Sequence, residues 1–130
     1  MFSKHCKKDF YDLTNYLFIM IIAQWQYNVP KEKVDSFIKF AKEKLKPFWE
    51  SMGCKSHTLF VSTTKKFRFS YQEIEPRNKI TEQLLFDKLE DFDEFLKKIY
   101  STEEGRKLAD SYEDKFNVTN LKIRVYEQVV

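Results

Sequence analysis

A general base that works near neutral pH calls for an imidazole, and this chain has two, His5 and His57. His57 is the candidate base, because it stands in a segment of alternating polarity, Ser56–Val61, that reads as a strand. A lone imidazole is also a common structural group, since base catalysis needs a partner and a geometry that sequence does not display. Gln24, Gln26, Arg124 and Tyr126 form a second constellation, polar side chains in strand-like segments whose intervening positions are apolar. Strand alternation puts these four on one face, where they can bind the oxygen atoms of a ligand or pair with one another across an interface.

Other reactive types carry weaker patterns. Cys54-x-x-His57 and His5-Cys6 supply the ligand types of a tetrahedral zinc site. The first pair straddles a helix end and a strand start and the second is directly adjacent, so Cys54 reads as a small buried hydrophobe and no metal is expected. Lys66-Phe67-Arg68-Phe69-Ser70-Tyr71, beside Leu17-Phe18-Ile19, is similar to the aromatic motifs that stack RNA bases on an open sheet, but lacks their glycines. Glu90-Asp91 and Glu103-Glu104 fall near helix starts, where carboxylates favour the macrodipole. With Gly53 and Gly105 as the only glycines, a Gly-rich phosphate loop is excluded.

The charges, 23 Lys and Arg against 20 Asp and Glu, alternate along the chain, which describes a solvated surface and no nucleic-acid partner. Two cysteines without a CxxC pair fit a reducing, cytoplasmic setting and no disulfide framework. The apolar run 17–23 is too short for a membrane span and is preceded by Asp9 and Asp12, so neither a leader nor a membrane partner is expected. The 13 Phe, 7 Tyr and 2 Trp are more ring surface than a small core hides, and imply a cavity or an interface.

The elements that must position these residues follow from periodicity. Residues 1–16 read as an N-terminal arm, and 17–130 as one domain. LFIMIIAQWQYN over 17–28 is rich in β-branched and aromatic residues without helical spacing, hence a buried strand ended by Pro30. From Val34 to Met52 the apolar residues keep steps of three and four, which predicts a helix kinked by Pro47 and stopped at Gly53. Ser56–Val61 and residues 67–71 alternate as strands, with a turn or bulge at Thr63-Thr64-Lys65-Lys66. A strand through 80–86 and a helix over 88–100 follow, then a second helix opened by the capping box Ser101-Thr102-Glu103-Glu104. Residues 121–130 alternate, with Leu121, Ile123 and Val125 on one face and Lys122, Arg124, Tyr126 and Gln128 on the other.

This order is that of an α+β, ferredoxin-like split βαβ sandwich, an antiparallel sheet with its helices on one face. Three full strands between the helices would start the second helix at the wrong end of the sheet, so 56–74 is expected to hold an irregular, bulged or partly detached hairpin. The other sheet face has no cover within the chain, yet Phe18, Met20, Ile22 and Tyr126 fall on it. A second copy is the economical cover, giving a homodimer.

AQWQYNVPKEKVDSFIKF (23–40), MGCKS (52–56), ITEQLLFDKLEDFDEFL (80–96) and STEEGRKL (101–108) resemble the dimeric α/β-barrel superfamily, in its antibiotic biosynthesis monooxygenase and quinol monooxygenase-like group. The resemblance covers most of the chain after residue 17. It implies a barrel cavity lined by Gln24, Gln26, Arg124 and Tyr126 as substrate-binding residues. It further implies a dimeric small-molecule-binding protein acting as a cofactor-independent monooxygenase on a quinol-like or aromatic, apolar substrate. No cofactor is expected, since the Asn, Trp and His trio of haem-degrading members has no counterpart here. The other reading is a non-enzymatic dimeric interaction module.

Overall fold

The computed structural model describes residues 19–130, so the expected N-terminal arm, His5 and Cys6 lie outside the described residues. β1 (Ile21–Asn28) is followed by a long helix, α1, over residues 31–51. Then come β2 (Ser56–Val61), β3 (Lys79–Phe86), α2 (Leu89–Ser101), α3 (Glu103–Lys115) and β4 (Thr119–Glu127). The strands form one antiparallel sheet in the order β2-β3-β1-β4. With the helices packed on one side, this is the expected ferredoxin-like α+β architecture.

Three local details differ from or add to the expectation. β1 starts at Ile21, with Ile19 and Met20 ahead of it. Just before Pro47 the turn Ala41–Leu45 widens to π geometry, in which Lys46 N–H donates to Ala41 O. Pro47, with no N–H to return to the preceding turn, stands at the first turn of the α-helical segment that follows. The N-cap of α3 is Thr102, one residue later than expected, and its hydroxyl accepts from Gly105 N–H at 3.2 Å. Gly105 is required there, since a Cβ would stand 2.5 Å from the carbonyl oxygen of Ile99.

The expected strand over 67–71 is a correction. Residues 62–78 form an irregular connection, and β2 and β3 alone separate α1 from α2, which removes the strand-count difficulty. Alternation makes a strand only where an edge offers hydrogen bonds and a core offers burial. Here Phe69 and Tyr71 are exposed, and the Gln72 side chain takes Phe67 N–H at 2.7 Å and gives to Lys65 O at 2.8 Å, serving the backbone locally.

The core lies between the sheet's inner face and the helices. Ile21, Ala23 and Tyr27 of β1 and Ile80, Leu84 and Phe86 of β3 meet Phe37, Leu45 and Trp49 of α1 and Phe92, Phe95 and Ile99 of α2. Phe37 stands edge-on to Tyr27 at 5.8 Å and to Phe116 at 5.2 Å. Edge-to-face packing adds about 1 kcal/mol per pair to the gain from burial. β4 is an exposed edge, where Leu121, Ile123 and Val125 point inward beyond the helices' cover.

Candidate functional site

Every second residue of β3 faces the core, and the sequence places Ile80, Glu82, Leu84 and Phe86 at those positions. Glu82 is therefore a carboxylate in an apolar layer, 2% exposed. Its neighbours compensate for the lost water. Tyr27 on β1 and His57 on β2 stand diagonally to it in the sheet, and Trp49 reaches it from α1. Oε2 accepts from the Tyr27 hydroxyl at 2.7 Å, and Oε1 accepts from Trp49 Nε1–H at 3.3 Å and lies 2.8 Å from His57 Nε2. An ionised carboxylate only accepts, so with Glu82 in that form the contact uses a histidine proton on Nε2. Burial, and after it the Glu82 carboxylate, hold the Tyr27 phenol well above the usual range, which keeps it a donor. Burial followed by Glu82 and Glu113 does the same to Tyr112.

Beside this cluster is a cavity of about 130 Å³, whose walls include Trp25, Trp49, Glu82, Phe95, Tyr112 and Ile123. It is ring-lined, with the Glu82 and Glu113 carboxylates as its acidic groups. On the opposite flank, between α1 and β2, a groove of about 620 Å³ is bordered by Lys42, Lys46, Arg77 and His57. Lys46 is anchored there, donating to the His57 carbonyl at 2.6 Å and to Glu50 at 3.2 Å. The Glu82–His57 contact thus joins an apolar cavity to a cationic groove.

Gln24, Gln26, Arg124 and Tyr126 do share the outer sheet face. Gln24 lies between Gln83 and Arg124 in register, Ile22 is opposite Tyr126, and Gln26 donates to the Thr81 hydroxyl at 3.3 Å. His57 is on the other face, because it pairs with Leu84, whose side chain points into the core. His57, the candidate base, is therefore not brought together with Gln24, Gln26 and Arg124; the sheet separates them. Sequence reasoning passed over Glu82, Tyr27 and Trp49. The one available signal was a carboxylate at a core position of β3, hidden because Ile80-Thr81-Glu82-Gln83 looks polar as a run. Cys54 is a free, buried thiol pushed up to about 12, by burial first and then by Glu50, with Lys46 acting the other way. Among the described residues no group of three or more His, Cys, Asp or Glu is placed to hold a metal.

Solved structures share this fold. A conserved protein of unknown function from Bacteroides thetaiotaomicron, a candidate oxidoreductase, aligns with a TM-score of 0.58 at 17% identity, over 85% of this chain and 99% of that one. A NIPSNAP family protein of unknown function from Agrobacterium tumefaciens gives 0.60 at 14% identity, covering 85% and 89%. A candidate antibiotic biosynthesis monooxygenase from Deinococcus radiodurans gives 0.55 at 14%, covering 85% and 93%. The chain has the ferredoxin-like fold of antibiotic biosynthesis monooxygenase and NIPSNAP proteins. No family model and no curated protein sequence matches it.

Proposed function

We propose that this chain binds a flat, apolar small molecule bearing a hydroxyl group in the cavity beside Glu82, as a homodimer closed over the outer sheet face. One observation carries the reading: a buried carboxylate, held by three neighbours, at the wall of a ring-lined cavity. Pockets of this kind take apolar ligands and orient them through few polar groups. The free volume, about 130 Å³, is close to that of the engineered cavities of about 150 Å³ that admit benzene, which is the scale of a single ring. The expected reaction is cofactor-free oxygenation. Glu82 takes the hydroxyl proton, and the ligand anion reduces dioxygen at an adjacent methylene. One oxygen atom stays as the carbonyl and the other leaves as water, with every electron supplied by the ligand.

In this reading the base is Glu82, His57 holds it by the Nε2 contact, and Gln24, Gln26, Arg124 and Tyr126 belong to the dimer contact. The similarity to a candidate monooxygenase and a candidate oxidoreductase supports the reading. Oxygen uptake over a panel of quinols and phenolic methylene compounds tests it, together with native mass spectrometry of the untreated protein. Uptake is expected, reduced at least about a hundredfold by Glu82→Gln. No uptake rejects the oxygenase; no retained molecule and no shift of the Trp25 or Trp49 signals on adding phenol rejects the ligand site.

A second reading, an interaction module without a reaction, is favoured by the outer face itself. Tyr126, in one row with Ile22 and Leu85, and Phe60, opposite Thr81 further along the sheet, are about half exposed there, with no cover among the described residues.

A further inference from the structure

The connection between β2 and β3 has no part in the cavity or in the outer face. Every position from 63 to 71 is exposed, and exposure of the rings rises along it, from 47% at Phe67 through 69% at Phe69 to 97% at Tyr71. Lys65, Lys66 and Arg68 are interleaved with them, and no carboxylate occurs before Glu73. Among the described residues none of these three cations has an ion pair, while Glu75 is engaged by Lys79 and Asp35 by Arg77. Lys65 instead stands 5.2 Å over the Phe67 ring.

The loop is also built in advance. Gln72 closes it through Phe67 N–H and Lys65 O, its own N–H donates to Phe69 O, and Thr63 Oγ1 accepts from Lys65 N–H. The stem is held where Ser62 N–H meets Lys79 O and Lys79 N–H meets Ser62 Oγ. These local bonds shape the backbone at Lys65, Phe67, Phe69 and Gln72, and the rings are turned out to solvent.

We propose that residues 63–74 are a docking loop for an anionic lipid surface. Aromatic rings settle at the boundary between headgroups and acyl chains, and lysine and arginine keep their charges among the headgroups while their stems lie deeper. A cationic loop that projects rings fits a negatively charged leaflet on both counts. A second copy of the chain is a poorer partner, since the outer face of β4 carries Lys122 and Arg124, of the same sign. Single-stranded RNA is poorer too, because these rings stand on a loop and not on a sheet face where successive bases stack. The expectation of no membrane partner rested on the lack of a spanning segment. No described helix is long and apolar enough to cross a membrane, and surface docking does not need one.

Co-sedimentation of the intact chain with phosphatidylcholine vesicles, with and without phosphatidylserine, tests the proposal. Binding is expected only with phosphatidylserine and should weaken as salt screens the contact. Replacing Lys65, Lys66 and Arg68 by Gln should lower the partition coefficient about a hundredfold, from roughly tenfold or less per charge. Phe67→Ser with Phe69→Ser and Tyr71→Ser should abolish binding with an unchanged thermal midpoint, because the rings support no core. Absence of vesicle binding, or binding unchanged by both variants, overturns the proposal. So does tighter binding to a short RNA, or loss of the dimer in place of vesicle binding when the rings are removed.

Discussion

The two faces of the sheet are made of neighbouring residues and behave oppositely. On the inner face Tyr27, Ile80, Glu82 and Phe86 are sealed, and each polar atom has a partner within the chain. On the outer face Gln24, Gln26, Gln83 and Thr81 are only half covered, and Arg124 and Tyr126 are exposed. The contrast teaches where ionisable groups can be given a function. A carboxylate on the outer face is one more solvated charge, whereas at Glu82 the same group has fixed partners and a cavity beside it.

The sharpest break of the comparison sets position 82 against position 83. Glu82→Leu strands the Tyr27 hydroxyl, the Trp49 indole N–H and the His57 ring in the core, and should cost about 4 kcal/mol in urea unfolding. Gln83→Leu, one residue on and facing outward, should change stability by less than about 0.5 kcal/mol. Equal effects would mean that the Glu82 cluster is wet and has relaxed partners.

The inner face also predicts a pH dependence. Burial holds the Cys54 thiol up to about 12 in the folded chain against 9.0 for the unperturbed group, and the Tyr27 and Tyr112 phenols well above 10.0. Raised acids keep their protons when folded and lose them when unfolded, so unfolding becomes easier as the pH climbs above the unfolded values. Stability should hold up to about pH 9, then fall by up to about 1.4 kcal/mol per unit for each such group. Urea midpoints across this range check it, and Cys54→Ala should flatten the first part of the decline. An unflattened curve in that variant would assign the loss to the phenols alone.

What was legible in the sequence follows the same division. Local periodicity was enough for the three-and-four spacing from Val34 to Trp49, the alternation of β4, and the sharing of one strand face by Gln24 with Gln26 and by Arg124 with Tyr126, because each is a property of one segment. The side of the sheet on which His57 falls depends on its register with Leu84, a contact between distant segments. Glu82 was hidden for the same reason: a core carboxylate is recognisable only once the donors that surround it are known, and they come from β1, α1 and β2. Residues 67–71 misled in the other direction, since their alternation serves no sheet.

A small change in folding is expected from Tyr126→Asp, and it is the most informative about the outer face. Tyr126 is 46% exposed on an edge strand, opposite Ile22, so in the separate chain the carboxylate is solvated and the thermal midpoint should move little. In the proposed dimer the same carboxylate is taken from water without a cation assigned to it, and truncating or opposing such a contact costs several kcal/mol. An interface of ordinary size, about 1,600 Å², has a surplus over association costs of similar magnitude, so one buried charge is enough to dissociate it. Sedimentation at micromolar concentration should therefore show a dimer for the wild type and a folded monomer for the variant. A wild type that sediments as a 15.8 kDa monomer would leave the outer face without a partner. It would leave the Glu82 cavity untouched, since the walls described for that cavity come from within one chain.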